Sequence, residues 1–115
     1  MAFIHGRQLV KQPYEEWPID LDFGRSFSLP PGARGIIACE AFAIKWQRRI
    51  PDVKTDATEE ILQSTTPIIL PPNKTAVRIH VKGGLNDHDY QITVRVEFDN
   101  GSKLEEELFI RVRED

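Results

Sequence analysis

The sequence predicts an all-β domain, an antiparallel two-sheet sandwich of six to eight strands with one short helical turn. Three observations carry this. Apolar and polar residues alternate with period two over the last third of the chain, the signature of strands with one buried and one wet face. Turn signals built on Pro, Gly, Asn and Asp recur between short apolar runs, as in a sandwich. Eight prolines and seven glycines divide the 115 residues into elements too short for a helical bundle.

The C-terminal ribbon is the most determined element. Tyr90, Ile92, Val94, Val96 and Phe98 fall in one phase; Gln91, Thr93, Arg95 and Glu97 fall in the other. Beyond Asp99-Asn100-Gly101, Leu104, Leu108, Ile110 and Val112 alternate with Lys103, Glu105, Glu107 and Arg111. Residues opposite each other in an antiparallel pair share a face, so even positions must meet even positions. A two-residue Asn100-Gly101 loop mixes the faces. A three-residue loop with Gly101 left-handed as a G1 bulge sets Val96 opposite Leu104, Ile92 opposite Leu108 and Tyr90 opposite Ile110. It also sets Glu97 against Lys103, Arg95 against Glu105 and Asp89 against Arg111. Moving the loop to Asn100-Gly101-Ser102 keeps the phase but opposes Glu97 to Glu105. Each pair is worth only ~0.2–1 kcal/mol, yet all of them select one register. Two residues fit less well: Glu106 lies in the inward phase and Phe109 in the outward one.

The other elements follow in chain order. Residues 1–16 are expected as an N-terminal arm or edge segment, interrupted by Pro13 and Glu15-Glu16, ahead of the sandwich domain at 17–115. Ile19, Leu21 and Phe23 alternate with Asp20 and Asp22, giving a first strand at Trp17–Phe23, and Leu29-Pro30-Pro31-Gly32 reverses the chain. From Gly35 to Trp46 both phases are apolar: Ile36, Ala38, Phe42 and Ile44 in one, Ile37, Cys39, Ala41 and Ala43 in the other. This fits a strand covered on both sides or an alanine-rich helix; the preceding turn and the short length favour the strand. Asp56-Ala57-Thr58-Glu59 has capping-box spacing before Ile61-Leu62, a single helical turn. Ile68–Leu70 is a short strand closed by Pro71-Pro72-Asn73. Thr75–Val81 is another, with Val77, Ile79 and Val81 inward, Arg78 and His80 outward, and Gly83-Gly84 ending it. Tyr90 then opens a strand just after an acidic turn with its side chain inward. An Ig-like sandwich carries a tyrosine corner at that place.

Composition narrows the function classes. With 40% hydrophobic and 29% charged residues the chain reads as one globular domain. A net charge of −3 gives no general attraction to nucleic acid or to an anionic membrane. The single Cys39 lies in an apolar stretch and is expected as a buried thiol. Residues 1–7 hold no apolar leader segment and no stretch reaches the ~20 apolar residues of a membrane helix, so a cytosolic site of synthesis is expected. Asn86-Asp87-His88-Asp89 is better read as a solvated corner than as a cation site, whose oxygens would be more widely spaced. His5, His80 and His88 are scattered. Neither a nucleophile elbow, nor a phosphate loop, nor a Cys-x-x-Cys pair occurs, so no catalytic residue, cofactor or metal site is expected. Candidate interface residues are Phe109, an aromatic on the wet face that is either covered by a second layer or in contact with another chain, and Arg48-Arg49, two basic residues too few for a nucleic-acid patch.

Lys11-Gln12-Pro13, the aromatic-led Trp17–Asp22 segment, the glycine turn and strand at Pro31–Ile37, Asp56–Leu62, Pro67–Ile69, Val81-Lys82-Gly83-Gly84 ahead of Tyr90, the Asn100-Gly101 turn and the closing Ile110–Val112 form an ordered set of signals. Across most of residues 11–112 this set resembles the fibre–tail adaptors and related Ig-like tail proteins of bacteriophages and prophages. Asn100 and the acidic run Glu105–Glu107 depart from that pattern. The resemblance implies a non-enzymatic structural component that docks to other tail or connector proteins, forms a homo-oligomer in the particle, and passes from host cytoplasm to virion. It implies no catalytic residues. A bacterial Ig- or fibronectin-type module for a glycan or cell-surface protein is the alternative, disfavoured by the expected absence of a secretion signal.

Overall fold

The computed structural model describes residues 8–24 and 31–114. Eight strands and one helical turn occupy them: β1 (Gln8–Lys11), β2 (Trp17–Asp22), β3 (Ile36–Gln47), β4 (Ile50–Asp56), α1 (Thr58–Ile61), β5 (Ile68–Leu70), β6 (Ala76–Val81), β7 (His88–Phe98) and β8 (Lys103–Val112). They form a five-stranded sheet in the order β1-β8-β7-β3-β4 and a three-stranded sheet in the order β2-β6-β5. All pairings are antiparallel except β1 on β8.

The β7–β8 register follows from the alternation. Val96 pairs with Leu104, Ile92 with Leu108, Tyr90 with Ile110, Glu97 with Lys103, Arg95 with Glu105 and Asp89 with Arg111. The loop is Asp99-Asn100-Gly101: Phe98 N–H donates to Ser102 O at 2.8 Å, and Gly101 takes φ +87°. The even phase of the ribbon is the core wall. Tyr90, Ile92, Val94, Phe98, Ile110 and Val112 are each fully buried, and each large apolar side chain contributes about 1.5–3 kcal/mol by leaving water. Glu106 is buried as its phase requires, opposite Val94. The facing sheet supplies Ile19, Leu21, Val77, Ile79 and Val81, the alternate positions of β2 and β6.

Residues 35–46 are a strand. β3 lies between β7 and β4, and its two apolar phases serve different surroundings. Ala41 and Ala43 face the core, where small side chains fit opposite Val94 and Ile92. The pairing shifts between Ile36 and Ala38. This bulge turns Ile36 into the core with Phe98 and leaves Ile37 60% exposed, so the uninterrupted two-phase pattern of the sequence misplaces Ile36.

Three further differences concern the less patterned segments. Residues 50–56, where no alternation predicts a strand, form β4, whose seven residues are all exposed; without a buried face it has no pattern to announce it. The helical turn is present, but it starts at Ala57 with no side-chain cap. Instead Thr58 Oγ donates to Asp56 Oδ1 at 2.9 Å and accepts the Ala43 N–H at 3.0 Å, stitching α1 to β3. Cys39 is half-buried rather than buried; its thiol donates to Pro67 O at 3.2 Å, and burial pushes its pKa up. Of the expected Leu29–Gly32 turn, residues 29 and 30 lie outside the described residues, as does His5.

β1 adds the fifth strand to the larger sheet as an edge, and Lys11 fastens it. The Lys11 side chain is fully buried, and its ammonium donates to the carbonyls of Gln12 (2.8 Å) and Gly83. Burial lowers its pKa, against the opposing pull of Glu15 and Glu16. A buried ammonium is tolerable only with its protons so engaged.

The corner before β7 closes the molecule. Tyr90 Oη accepts the Leu85 N–H at 2.7 Å and donates to a Glu60 carboxylate oxygen, whose other oxygen receives Lys45 Nζ at 2.7 Å. This is a tyrosine corner, with the hydroxyl bonded to backbone five residues upstream. Burial, then the bond to Glu60, pushes the phenol pKa well up. For Glu60, burial alone would raise the pKa, but the bonds from Lys45 and Tyr90 outweigh it and hold the carboxyl below its usual range. With β3, β7 and β8 flanked by β4 in one sheet and β2-β6-β5 in the other, the strand arrangement is that of an Ig-like sandwich.

Candidate docking face

The register that buries one face of the five-stranded sheet also specifies the other. Reading across β1, β8, β7, β3 and β4, the outward positions form rows: Val10–Arg111–Asp89–Trp46, then Gln8–Phe109–Gln91–Ile44–Asp56, then Glu107–Thr93–Phe42, then Glu105–Arg95–Glu40, and last Lys103–Glu97–Ala38. No strand of the second sheet covers these rows. The central strand, β7, contributes only polar positions, with apolar side chains on β3 and β8 to either side. Phe42, Ile44, Trp46 and Phe109 are all half-buried.

Two cations lie on aromatic rings here. The Arg95 guanidinium is 4.8 Å from the Phe42 ring centre, and Lys54 Nζ is 5.3 Å from that of Trp46, within cation–π reach. The long side chains thus cover apolar surface while their heads stay wet. Arg95 also pairs with Glu105 at 2.6 Å and Glu40 at 3.9 Å. Toward the β7–β8 turn an open groove of about 520 Å³ runs between Glu40, Arg95, Glu97, Lys103 and Glu105. Gln91 Nε2 donates to Glu107 Oε2 at 2.8 Å.

At the tyrosine-corner end the charges converge on Asp89, which is only 7% exposed. Arg111 Nε donates to its Oδ1 at 3.2 Å, and Arg48 Nη2 approaches it at 3.8 Å, an ion pair too long for a hydrogen bond. Arg48 also reaches Asp87 at 3.9 Å.

The residues expected at an interface therefore fall in two places. Phe109 is in the middle of the face, on its outward side as its phase requires, half-buried beside Gln8 and Gln91. Arg48 and Arg49 form the β3–β4 turn at one end; Arg48 is engaged with the two aspartates and Arg49 is exposed. Phe42, Ile44 and Trp46 were not legible as interface residues, because the sequence of β3 is apolar in both phases. The signal that finds them is indirect: β7 has an unambiguous wet phase, and its pairing with β3 transfers that phase to Phe42, Ile44 and Trp46. Among the described residues, no group of three His, Cys, Asp or Glu side chains converges as a metal site. His88 instead places Nδ1 2.9 Å from Asn86 O. No helix among the described residues is long and apolar enough to cross a membrane.

No family model and no curated protein matches this sequence. Among solved structures the chain is similar to murine CRIg, at 9% identity and a TM-score of 0.48, over 99% of this chain and 98% of that one. The Ig-like assignment stands on the strand order and the tyrosine corner, independently of that likeness.

Proposed function

We propose that this chain is a docking module of a phage or prophage tail, an adaptor that joins tail or connector proteins through surface complementarity. Its work is binding rather than catalysis. The observation that carries the proposal is the outward face of the five-stranded sheet. Phe42, Ile44 and Trp46 on β3 and Phe109 on β8 flank the polar β7 positions Gln91 and Thr93 and are bordered by charge, a mixture of apolar anchors and polar groups such as protein interfaces carry. The rigid sandwich behind it presents that face without reordering. The tail setting is supported by the sequence resemblance to fibre–tail adaptors across residues 11–112.

The experiment is copurification after prophage induction, with Phe109→Ser beside the wild type. The wild type should carry tail proteins with it, and the variant should lose them while its melting temperature moves by only a few degrees. Undiminished copurification of Phe109→Ser would remove the face from the proposal. A steep drop in melting temperature would make Phe109 a core residue. Purified wild type that binds glycans and leaves tail proteins behind would replace the proposal with the alternative module.

A further inference from the structure

The turn that closes the β7–β8 ribbon carries a chemistry of its own. Asn100-Gly101 is the single Asn-Gly pair of the sequence; Asn73 precedes Lys74 and Asn86 precedes Asp87. We infer that Asn100 is a modification site, where the side-chain amide is lost as ammonia by ring closure onto Gly101 N, and that the folded turn holds this reaction back.

Reactivity comes from what the turn leaves open. Asn100 and Gly101 are both exposed to water. Nothing lies within 4 Å of where a Gly101 Cβ would stand, so neither a side chain of its own nor a distant neighbour crowds that side of the backbone. Hydroxide removes the Gly101 amide proton, and the nitrogen attacks Asn100 Cγ. A C–N bond forms, the Cγ–Nδ2 bond breaks, and ammonia departs to leave a cyclic imide. Water then opens the imide at either carbonyl. Opening at Cγ gives aspartate; opening at the backbone carbonyl carbon gives isoaspartate, whose chain runs through the side chain. Amide and water become acid and ammonia, and nothing is oxidised or reduced.

Restraint comes from the atoms at which bonds must break. Gly101 N–H donates to Phe98 O at 2.9 Å, and Asn100 Nδ2 donates to Pro31 O at 3.0 Å. The first contact engages the proton that must leave, the second the nitrogen that must depart. One contact acts the other way: Ser102 N–H donates at 3.0 Å to Asn100 Oδ1, the oxygen that gains negative charge during the attack. With two restraining contacts against one, and Gly101 fixed at φ +87°, the folded chain should react at least about tenfold more slowly than the unfolded one.

The product matters to the ribbon. The turn is tied to residues 31–35 by Asn100 Nδ2 on Pro31 O, by Arg34 N–H on Asp99 Oδ1 at 3.0 Å, and by Asp99 N–H on Gly35 O at 2.9 Å. Either product replaces the Asn100 donor with a carboxylate, set against the Pro31 carbonyl and next to Asp99. Isoaspartate also lengthens the backbone of the loop that sets the β7–β8 register.

Peptide mapping by mass spectrometry tests this, after incubation of the full chain in mildly alkaline buffer, native and in guanidinium chloride. In denaturant, the mass gain of amide-to-acid conversion should appear at Asn100 well ahead of Asn73 and Asn86, divided between aspartyl and isoaspartyl peptides. The native chain should accumulate it at least about tenfold more slowly. An Asn100 no faster than Asn73 and Asn86 in denaturant would overturn the site. A native rate approaching the denatured one would overturn the protection. Gly101→Ala in denaturant, where folding is not at issue, should slow the reaction because its methyl group crowds the attacking nitrogen; an unchanged rate would overturn Gly101 N as the nucleophile. Asn100→Asp reproduces the aspartyl product and should melt a few degrees below the wild type. Equal melting would overturn the role of the Asn100 amide in holding the turn to Pro31.

Discussion

The β7–β8 and β3–β4 ribbons belong to one sheet and share the neighbour relationship of consecutive strands, yet they are held together differently. The first pairs ten successive residues in a single register, from His88 with Val112 to Glu97 with Lys103. The second pairs Ile44 with Asp56 and Lys45 with Thr55, then shifts before Gln47 meets Ile50. One ribbon has a full apolar phase pressed on the opposite sheet, and slipping it by one residue would turn that entire phase into water. β4 has no buried residue, so nothing penalises its irregularity. Register is exact where burial enforces it and loose where only backbone pairing does. The irregularity has a use: Pro51 and a disrupted ladder make β4 a poor template for adding another strand.

The largest expected effect breaks the enforced ribbon. Ile92 is fully buried in mid-β7, between Ala43 and Leu108. Ile92→Ala leaves a cavity with an alanine already on one side, so neighbours have little with which to fill it. Chemical denaturation should show a loss of about 2–5 kcal/mol.

Tyr90→Phe comes next. It keeps the packing but strips the hydroxyl from a site where Leu85 N–H and Glu60 both depend on it. Leaving buried polar groups unpartnered costs about 1–3 kcal/mol, measurable in the same denaturation series. A stability equal to the wild type would show that the corner holds by packing alone and that its hydrogen bonds only replace those to water.

How much of this was legible beforehand divides along the same line. Positions 90–112 announce their register because burial wrote an alternation into them, and Glu106 and Phe109 stood out as exceptions to it. Glu106 is inside and Phe109 is on the outer face, each in the phase the sequence assigns. β2, β5 and β6 are likewise visible in Ile19-x-Leu21, Ile68–Leu70 and Val77-x-Ile79-x-Val81. The bulge at Ile36, the strand at 50–56 and the half-exposure of Cys39 are set by neighbours distant in the chain, which leave no local pattern. The candidate face shows both behaviours at once. Its β7 and β8 positions were readable, and its β3 positions became readable only through pairing with β7.

Gly101→Val probes the turn that sets the readable register. Gly101 has φ +87° and nothing within 4 Å of where a Cβ would stand, so the cost is that of the backbone alone. A β-branched residue in the left-handed region should lose about 1–2 kcal/mol. Equal melting of variant and wild type would mean that the loop relaxes to another turn and that the cross-strand pairs alone hold the register.

The smallest expected effect is on the loose ribbon, and it is the one that makes the contrast quantitative. Val53 is 59% exposed in the middle of β4, in the stretch where the pairing with β3 is interrupted. Its side chain has lost only part of its contact with water, so truncation recovers part of a transfer term and opens no cavity. Val53→Ala should therefore shift stability by no more than about 0.5 kcal/mol, several-fold less than the same kind of truncation at Ile92. The ratio of the two, taken from denaturation curves with unchanged slopes, measures how unevenly one sheet distributes its stability. A Val53→Ala loss approaching that of Ile92→Ala would mean that β4 is buried in the molecule as it exists in solution, which would move the docking surface from the open face of the sheet to its edge.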